Sequence, residues 1–306
     1  MGVIGIDTSN YTTSIAFFDG TGGENCSKLL PVKSGELGLR QSDAVFAHIK
    51  SLPELSGRLF SHVREEIRAV GVSTRPRAVE GSYMPCFLVG LSHATLLSNA
   101  LHVPLVEVSH QQGHVAASLW SAGHLELMDA PHLAWHLSGG TTELLLVEPE
   151  GKLVNCTKIG GTTDISAGQL IDRTGQLLGL PFPSGKHLDA LSREAAGKDF
   201  FRVKCKDMTF SFSGMQNKVQ QYYEANGDPA ETAAYALRCV AYGVFHATQQ
   251  ALKAYPGLPV VFSGGVASNT LLRQVLEPLN PIFAQPQYST DNAMGVAVLA
   301  SRCTEV

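Results

Sequence analysis

The feature that most constrains the fold of this chain is a strand pattern that occurs twice. Residues 3–32 read as an apolar strand, a polar turn, a second strand, a turn and a weaker third strand, and residues 132–159 repeat that order. Short apolar runs bounded by turn-forming residues are typical of buried strands. Segments with helical periodicity follow each set. The sequence therefore predicts an α/β fold with a duplicated β-β-β-α-β-α unit.

The duplication also predicts the domain division. We expect two similar domains, at 1–130 and 131–290, with a C-terminal helix at 291–306 that packs back on the first. Further helices are expected at 52–70, 86–101 and 110–122, and near 163–179, 212–225, 229–255 and 266–277. This plan resembles the actin, sugar-kinase and heat-shock ATPase (ASKHA) superfamily, in which two α/β domains close over a nucleotide.

Composition and charge narrow the function classes. The 306 residues are 44% hydrophobic and 16% charged, an ordinary globular composition. No apolar stretch reaches the roughly 18 residues that predict a transmembrane helix. The six cysteines form no C-x-x-C pair and the N-terminus has no basic signal region, so we expect a cytoplasmic protein without membrane attachment. The net charge of −4 argues against unaided nucleic-acid binding. Two basic stretches, 64–77 and 202–206, are candidate RNA contacts, although solvated surface is the simpler interpretation of each.

Three strand ends carry junctions that suit an anion or a metal. The first strand ends at Asp7, whose carboxylate could position a metal or a water or could simply cap the strand. The segment 138–142 reads SGGTT, and its glycines let the backbone approach an anion closely. The segment 263–269 reads SGGVASN before a helix, whose free amides suit a phosphate or ribose. The sequence has no G-x-x-x-x-G-K-[ST] motif, which excludes a P-loop.

Two histidines have the spacing of metal ligands on a helix. His110 and His114 stand at i and i+4, so both imidazoles face one side and can reach one ion at about 2.0–2.1 Å. Two exposed helix histidines would have the same spacing, and the spacing alone does not decide between these alternatives. Gln111 stands where the H-E-x-x-H protease motif has its glutamate, so a metalloprotease would lack its general base.

Seven motifs that follow one another along the chain indicate its family, and with it the roles of the strand-end junctions and of the two histidines. They are IGIDTS, SHQQGH, LSGGTTELL, GQLIDRTGQLLGLPFPSG, FSFSGMQNKV, FSGGVASNTLLR and STDNAMGVA. In this order they resemble the successive signatures of the tRNA threonylcarbamoyladenosine synthase (TsaD-like) family, formerly called O-sialoglycoprotein endopeptidases or the glycoprotease family. The match runs nearly from end to end of the chain.

The resemblance implies a metal-dependent acyltransferase. In that family one divalent metal ion, given as iron or zinc, holds threonylcarbamoyl-adenylate between the domains, and the group passes to an adenosine next to the tRNA anticodon. The motif positions assign the catalytic metal ligands to His110, His114 and Asp291. His136 stands where the archaeal and eukaryotic branch has a metal-ligating tyrosine, and it is a candidate fourth ligand. The ion would act as a Lewis acid on the transferring group.

The resemblance also implies a nucleotide site and partners. The ligand would be threonylcarbamoyl-adenylate, or ATP or AMP, and Asp172 and Asp189 would accept ribose hydroxyls. Without the resemblance both would be interpreted as helix-surface carboxylates. The implied nucleotide-binding residues are Leu137, Ser138, Gly139, Gly140, Asp172, Gly185, Asp189 and Asn269. The expected partners are tRNA, proteins that help to bind it, and other subunits of the threonylcarbamoyladenosine synthesis complex.

Several departures from the family pattern fall outside the predicted metal and nucleotide residues. The family's GPG-containing loop is replaced by GSYMPCFLVG at 81–90, and its SGGHT or SGGNT turn reads SGGTT. A paired Asp-Asp reads Asp164-Ile165, and a helix glutamate is Gln169. These changes suggest an altered acceptor side, as in a divergent short paralogue.

Three functions therefore compete. The leading hypothesis is transfer of threonylcarbamoyl to tRNA, or of a related carbamoyl group to another acceptor. The second is a nucleotide-binding, non-catalytic partner subunit, which generally lacks the metal histidines that this chain retains. A metalloprotease ranks lowest because of Gln111.

Overall fold

The computed structural model describes residues 1–9, 11–31 and 39–304, and within them the chain forms two compact units. The first unit comprises Met1–Ala130, Glu148–Cys156 and Asp291–Val306, and the second comprises Pro131–Val147 and Thr157–Thr290. Residue 32 of the predicted third strand and residues 305–306 of the predicted C-terminal helix lie outside the described residues. None of the described helices combines the length and the hydropathy that crossing a membrane requires.

The described chain is made of β-strands, α-helices and short 3₁₀ turns. The strands are β1 Gly2–Ser9, β2 Thr12–Phe18, β3 Gly23–Leu29, β4 Ile67–Arg75, β5 Leu105–Ser109, β6 His132–Leu137, β7 Thr142–Glu150, β8 Leu153–Thr162, β9 Cys205–Lys206, β10 Thr209–Phe210, β11 Val260–Ser263 and β12 Ile282–Phe283. The helices are α1 Gln41–His62, α2 Phe87–Leu101, α3 His110–Ala122, α4 Ala167–Leu177, α5 Gly185–Ser192, α6 Ser213–Asn226, α7 Pro229–Ala254, α8 Thr270–Leu276 and α9 Met294–Thr304.

The two sheets share one strand order. The first is β3-β2-β1-β4-β5, with β1 and β2 antiparallel and with β4 and β5 parallel to β1. The second contains β8-β7-β6-β11-β12, with β6 and β7 antiparallel and with β11 and β12 parallel to β6, and it adds β10 and β9 beside β8. Each sheet therefore starts from three consecutive strands and continues with two parallel strands that follow helices. This confirms the predicted duplication.

The prediction of one helix over 52–70 was wrong at its C-terminal end. α1 ends at His62 and Val63 is extended, with φ −74° and ψ 122°. The chain then forms β4, a parallel strand between β1 and β5 in which 69–73 are buried. A strand that is covered on both faces is apolar without alternation, so its β-branched residues imitate a continuation of the helical spacing.

Smaller differences concern the second half of the chain. The helix predicted at 266–277 is divided, because Asn269 is extended (φ −63°, ψ 131°) and caps α8, while Gly265–Ser268 forms a 3₁₀ turn. Neither α5 nor the β9–β10 hairpin was predicted from the sequence. The hairpin has only two residues in each strand, which is too short for a periodic signal.

Close packing of α9 on α3 and β1 determines the position of residues just before α9. A Cβ atom at Gly295 would lie 1.8 Å from the carbonyl oxygen of Gly113 in α3, and a Cβ atom at Gly5 would lie 2.4 Å from the carbonyl oxygen of Ala293. Only glycine permits such approaches. They hold the start of α9 beside the first turn of α3 and the end of β1.

Candidate metal centre and nucleotide-binding turns

The N-terminus of α3 places two histidines one helical turn apart at the end of β5. Ser109 is the N-cap: its hydroxyl accepts from the amide of Gln112 (3.2 Å), whose side-chain oxygen accepts from the amide of Ser109 (2.8 Å). This reciprocal capping box stops the strand and starts the helix at His110. His110 and His114 then project from the same face.

Both histidines converge with Asp291 within the first unit. The Nε2 atoms of His110 and His114 are 2.9 Å apart, and Oδ1 of Asp291 lies 3.1 Å from Nε2 of His114 and 3.6 Å from Nε2 of His110. One ligand atom from each residue lies within 4.8 Å of the others. The side chains are 19%, 5% and 28% exposed in the order His110, His114 and Asp291, so the cluster retains access to solvent.

The turn that carries Asp291 is tied to the rest of the first unit. The side-chain oxygen of Asn25 on β3 accepts from the amide of Ala293 at 3.0 Å, and that of Asn292 accepts from the amide of Met294 at 3.1 Å. Together with the packing at Gly295, these bonds hold Asp291 next to α3 although the two are far apart in the sequence.

A fourth polar side chain supports His110 from behind. Oδ1 of Asp7, at the end of β1, lies 3.1 Å from Nδ1 of His110 and also accepts from the hydroxyl of Ser73 on β4. The Asp7 side chain is 1% exposed, and its Oδ2 atom is buried without a hydrogen-bond partner among the described residues. The sequence suggested that Asp7 could position a metal, and the structure places it against His110, a predicted metal ligand. Ser73 was missed because its strand was not predicted.

The charges in this cluster reinforce one another. Burial acts to lower the pKa of His110, but the Asp7 carboxylate and hydrogen bonds to Asp291 and Asp7 raise it to about 10. Burial acts to raise the pKa of Asp7, but His110 and the Ser73 hydroxyl lower it. Burial also acts to raise the pKa of Asp291, yet hydrogen bonds from His110 and His114 hold it well below its usual range. Two ionised carboxylates thus stabilise positive charge at this point.

In the second unit, two glycine junctions meet at the carboxyl ends of adjacent parallel strands. The turn after β6 is closed by the amide of Thr141, which donates to the hydroxyl of Ser138 at 3.0 Å. A Cβ atom at Gly139 or Gly140 would meet nothing within 4 Å, so the space above both glycines is open. After β11, Gly264 has φ +91°, and a Cβ atom there would lie 2.1 Å from the carbonyl oxygen of Leu137. Carboxyl ends of parallel strands are the usual ligand-binding edge of an α/β sheet.

The predicted ribose acceptors lie in two different environments of the same unit. Oδ1 of Asp172 accepts from the amide of Ser184 at 2.8 Å, directly before Gly185 at the start of α5, and its Oδ2 has no partner among the described residues. Burial raises the pKa of Asp172, and the bond from Ser184 opposes it. Asp189 is more fully engaged. Its two oxygens accept from the side chain of Asn269 (2.7 Å), the amide and hydroxyl of Thr270 (2.9 and 2.6 Å) and the guanidinium of Arg193 (2.8 Å).

His136 lies on β6 in the second unit, opposite Ser263 and Glu143 in the sheet register, and is partly buried. Its role as a fourth metal ligand stays a prediction. The roles of Leu137, Ser138, Gly139, Gly140, Asp172, Gly185, Asp189 and Asn269 in binding a nucleotide also stay predictions.

Two residues at the departures from the family pattern, Asp164 beside Ile165 and Gln169, have structural roles. Asp164 accepts from the hydroxyl of Ser211 and from the amides of Phe212 (2.8 Å) and Ser213 (3.2 Å) at the start of α6. Gln169 forms a capping box with Ser166 at the start of α4, and glutamine serves there as well as glutamate.

Comparison with known proteins decides the family. The TsaD family model, described as tRNA N6-adenosine threonylcarbamoyltransferase, matches residues 41–298. The chain belongs to this family.

Three similar TsaD relatives are also named tRNA N6-adenosine threonylcarbamoyltransferase. The one from Carboxydothermus hydrogenoformans is 31% identical over 96% of this chain and 90% of its own, and the one from Thermosipho africanus is 29% identical over 97% and 92%. The Kosmotoga olearia relative is 34% identical over 70% of this chain and 66% of its own. The family predicted from the motifs is thus confirmed.

Solved structures show the fold of this TsaD family member. T. kodakarensis HypF gives a TM-score of 0.61 at 13% identity, over 99% of this chain and 47% of HypF. A ROK family glucokinase from Streptomyces griseus gives 0.55 at 11% identity, over 99% and 100%. The predicted ASKHA fold class is therefore confirmed.

Proposed function

We propose that this TsaD family member transfers a threonylcarbamoyl group from threonylcarbamoyl-adenylate to N6 of an adenosine next to the tRNA anticodon. The convergence of His110, His114 and Asp291 carries the proposal, in a chain whose relatives are named tRNA N6-adenosine threonylcarbamoyltransferases. A non-catalytic subunit would give no reason for this donor set. In the reaction, N6 attacks the carbamoyl carbon, the bond from that carbon to the phosphate oxygen breaks, AMP leaves, and N6 gives up a proton.

We assign one divalent cation, iron or zinc, to the three converging side chains. Two ligands about 2.1 Å from one ion, at angles of 90–110°, are about 3.0–3.4 Å apart. The separations of 2.9, 3.1 and 3.6 Å within the cluster fit such an ion with little adjustment. Two imidazoles and one carboxylate suit zinc and iron(II) alike. His136 is the proposed fourth ligand.

The bound ion would supply Lewis-acid stabilisation of the charge that develops during transfer. The protein's own residues determine how that site is held. Asp7 accepts from Nδ1 of His110, which fixes the ring and leaves Nε2 to face His114 and Asp291. Such carboxylate–histidine pairs orient a ligand and raise its basicity.

We assign the nucleotide to the glycine junctions of the second unit. The open space above Gly139 and Gly140 supports close approach of a phosphate to backbone amides. The free oxygen of Asp172 supports acceptance of a ribose hydroxyl. Asp189 and Asn269 bind each other (2.7 Å), so we assign them first to positioning the start of α8 beside the ligand. Cytoplasmic location and the need for partner subunits stay predictions.

The test measures metal content and transfer together. His110→Ala and His114→Ala are expected to lose bound iron or zinc and to reduce modification of tRNA to background. His124→Ala, which removes a half-exposed histidine of the first unit, serves as the matched control. Metal is measured by mass spectrometry of the purified protein, and tRNA by nucleoside analysis with the synthase partners supplied.

Two outcomes would contradict the proposal in different ways. Transfer that continues without metal in both variants would remove the metal from the mechanism. Turnover of the adenylate without modification of tRNA, even with partners present, would favour another acceptor for the carbamoyl group.

A further inference from the structure

The segment 198–206 of the second unit, called here the basic segment, combines exposed cations with exposed aromatic rings. Its four cations are Lys198, Arg202, Lys204 and Lys206. All four are exposed, and none of their side chains has a hydrogen-bond or ion-pair partner among the described residues. Phe200 and Phe201 between them are 37% and 42% exposed. Unpaired cations and half-exposed rings in one short segment point to a ligand that offers both negative charge and flat apolar faces.

The backbone of the basic segment is anchored along α7 although it has little regular structure. The carboxylate of Glu231 accepts from the amides of residues 196 and 197 at 2.8 Å each. Arg238 donates to the carbonyl oxygen of residue 199 at 3.3 Å, and the sulfur of Cys239 accepts from the amide of residue 201 at 3.2 Å. Val203 is buried with 4% exposure. Because one side of the segment is fixed to the core, its outward side chains are presented without a large ordering cost on binding.

Neighbouring residues extend the same surface. Lys218 on α6 lies over the ring of Phe201, 5.7 Å from its centroid. Gln250 on α7 accepts from the amide of Met208 (2.8 Å) and donates to the carbonyl oxygen of Cys205 (3.1 Å), which fixes the hairpin that carries Lys206. Counting Lys218, five cations stand against two carboxylates, Asp199 and Asp207, in a chain whose net charge is −4. This surface therefore has the opposite sign to the chain as a whole.

We propose that the basic segment, with Lys218, is the surface of this chain that binds the anticodon stem-loop of the tRNA acceptor. The inference rests on the proposed function, because it takes tRNA as the substrate. Phosphates of the stem match the unpaired cations, since most nucleic-acid affinity comes from neutralised phosphates. Unpaired loop bases stack on aromatic side chains, which is the usual way in which proteins bind single-stranded RNA. Positive charge alone would suit an acidic protein as well, but the exposed rings of Phe200 and Phe201 beside the cations favour RNA, whose bases can stack on them.

The test separates the ionic contribution from the stacking contribution. A labelled anticodon stem-loop is titrated with the full chain, assembled with its synthase partners, at several salt concentrations. Lys204→Gln with Lys206→Gln is expected to weaken binding about tenfold near 0.1 M salt and to reduce the salt slope by about 1.4–1.8, since each lost phosphate contact contributes about 0.7 in a single strand and about 0.9 in a duplex. Phe201→Ala is expected to weaken binding while leaving the slope unchanged, because stacking displaces no counterions.

Matched controls remove similar groups elsewhere. Lys50→Gln with Lys253→Gln removes two exposed charges, and Phe46→Ala removes an exposed ring that also lies under a lysine, Lys50 at 5.0 Å. Neither control is expected to change the affinity or the salt slope. Equal affinity and slope in the basic-segment variants and the controls would overturn the inference. The inference would also be overturned if the basic-segment variants modified tRNA at the wild-type rate, although the proposed function would then remain intact. Adenylate turnover with a different acceptor would instead defeat the proposed function.

Discussion

Nδ1 of His110 lies 3.1 Å from Oδ1 of Asp7, a carboxylate near the carboxyl end of β1 whose side chain is 1% exposed. The contact joins the end of β1 to the first residue of α3. It determines which ring nitrogen of His110 faces the carboxylate and which faces His114. A buried carboxylate behind a histidine is the usual support of a metal ligand.

Asp7→Asn is expected to lower the affinity for iron or zinc by about 10- to 100-fold, because asparagine keeps the shape but not the charge behind His110. Chelator competition measures the metal affinity, and Asp43→Asn, at an exposed position on α1, is the control. Unchanged affinity in Asp7→Asn would mean that this carboxylate has only a structural role.

Gly295→Ala is expected to lower the free energy of unfolding by about 1–3 kcal/mol, since the new methyl group would overlap the carbonyl oxygen of Gly113. The displaced start of α9 should also weaken metal binding through Asp291. Gly57→Ala, in an open position of α1, is the control and should be neutral or stabilising. Chemical denaturation and metal content are measured on both variants. A stable Gly295→Ala protein with full metal affinity would contradict the packing argument.

Asp172→Ala is expected to affect mainly the affinity for AMP, whereas Asp189→Ala is expected to affect mainly stability. Asp172 has a free oxygen and one internal hydrogen bond, so its loss should weaken AMP binding with a small change in melting temperature. Asp189 binds four donors, so its loss should destabilise the start of α8 by about 1–3 kcal/mol. Calorimetric titration with AMP and thermal melting separate the two effects. Unchanged AMP affinity in Asp172→Ala would remove this residue from the nucleotide site.

Asp164→Asn is expected to lower the free energy of unfolding by about 1 kcal/mol at neutral pH, because Asp164 caps α6 through two amides. Burial acts to raise the pKa of Asp164, but hydrogen bonds from Ser211, Ser213 and Phe212 lower it well below 3.8. The carboxylate's contribution is therefore present above pH 3.8 and is lost as the pH falls through the lower folded value. Urea unfolding should show the same difference from wild type at pH 7 and pH 5, and a smaller one below pH 3.8. A difference that grows on acidification would contradict this sign.

Gln169→Glu is expected to leave stability within about 0.5 kcal/mol of wild type, since either side chain completes the capping box with Ser166. Gln169→Ala should cost about 0.5–1.5 kcal/mol, because the amide of Ser166 loses its hydrogen bond to the Gln169 side chain while the N-cap bond of Ser166 remains. Thermal melting measures both, and tRNA modification rates show whether the substitution matters to the acceptor. Faster transfer by Gln169→Glu would mean that the family's glutamate has a role beyond capping.

Local sequence patterns were sufficient to predict the fold class, the helix that carries the two histidines, and the family. The repeat of strand, turn and strand predicted the duplicated fold, because period and turn chemistry are properties of neighbouring residues. The helix at 110–122 was predicted from the sequence. Its two histidines are four residues apart, and any two residues at that spacing lie on one face of a helix. Motif order supplied the family.

Only the tertiary structure showed the contacts between residues that are far apart in the sequence. β4 was misread because a strand buried on both faces loses its alternation, and Ser73 was missed with it. The contact of Asp7 with His110 depends on sheet order and on where β1 ends, and the approach of Asp291 depends on the packing of Gly295 against Gly113. No local pattern contains those contacts, because they come from the close packing of segments that are remote in sequence.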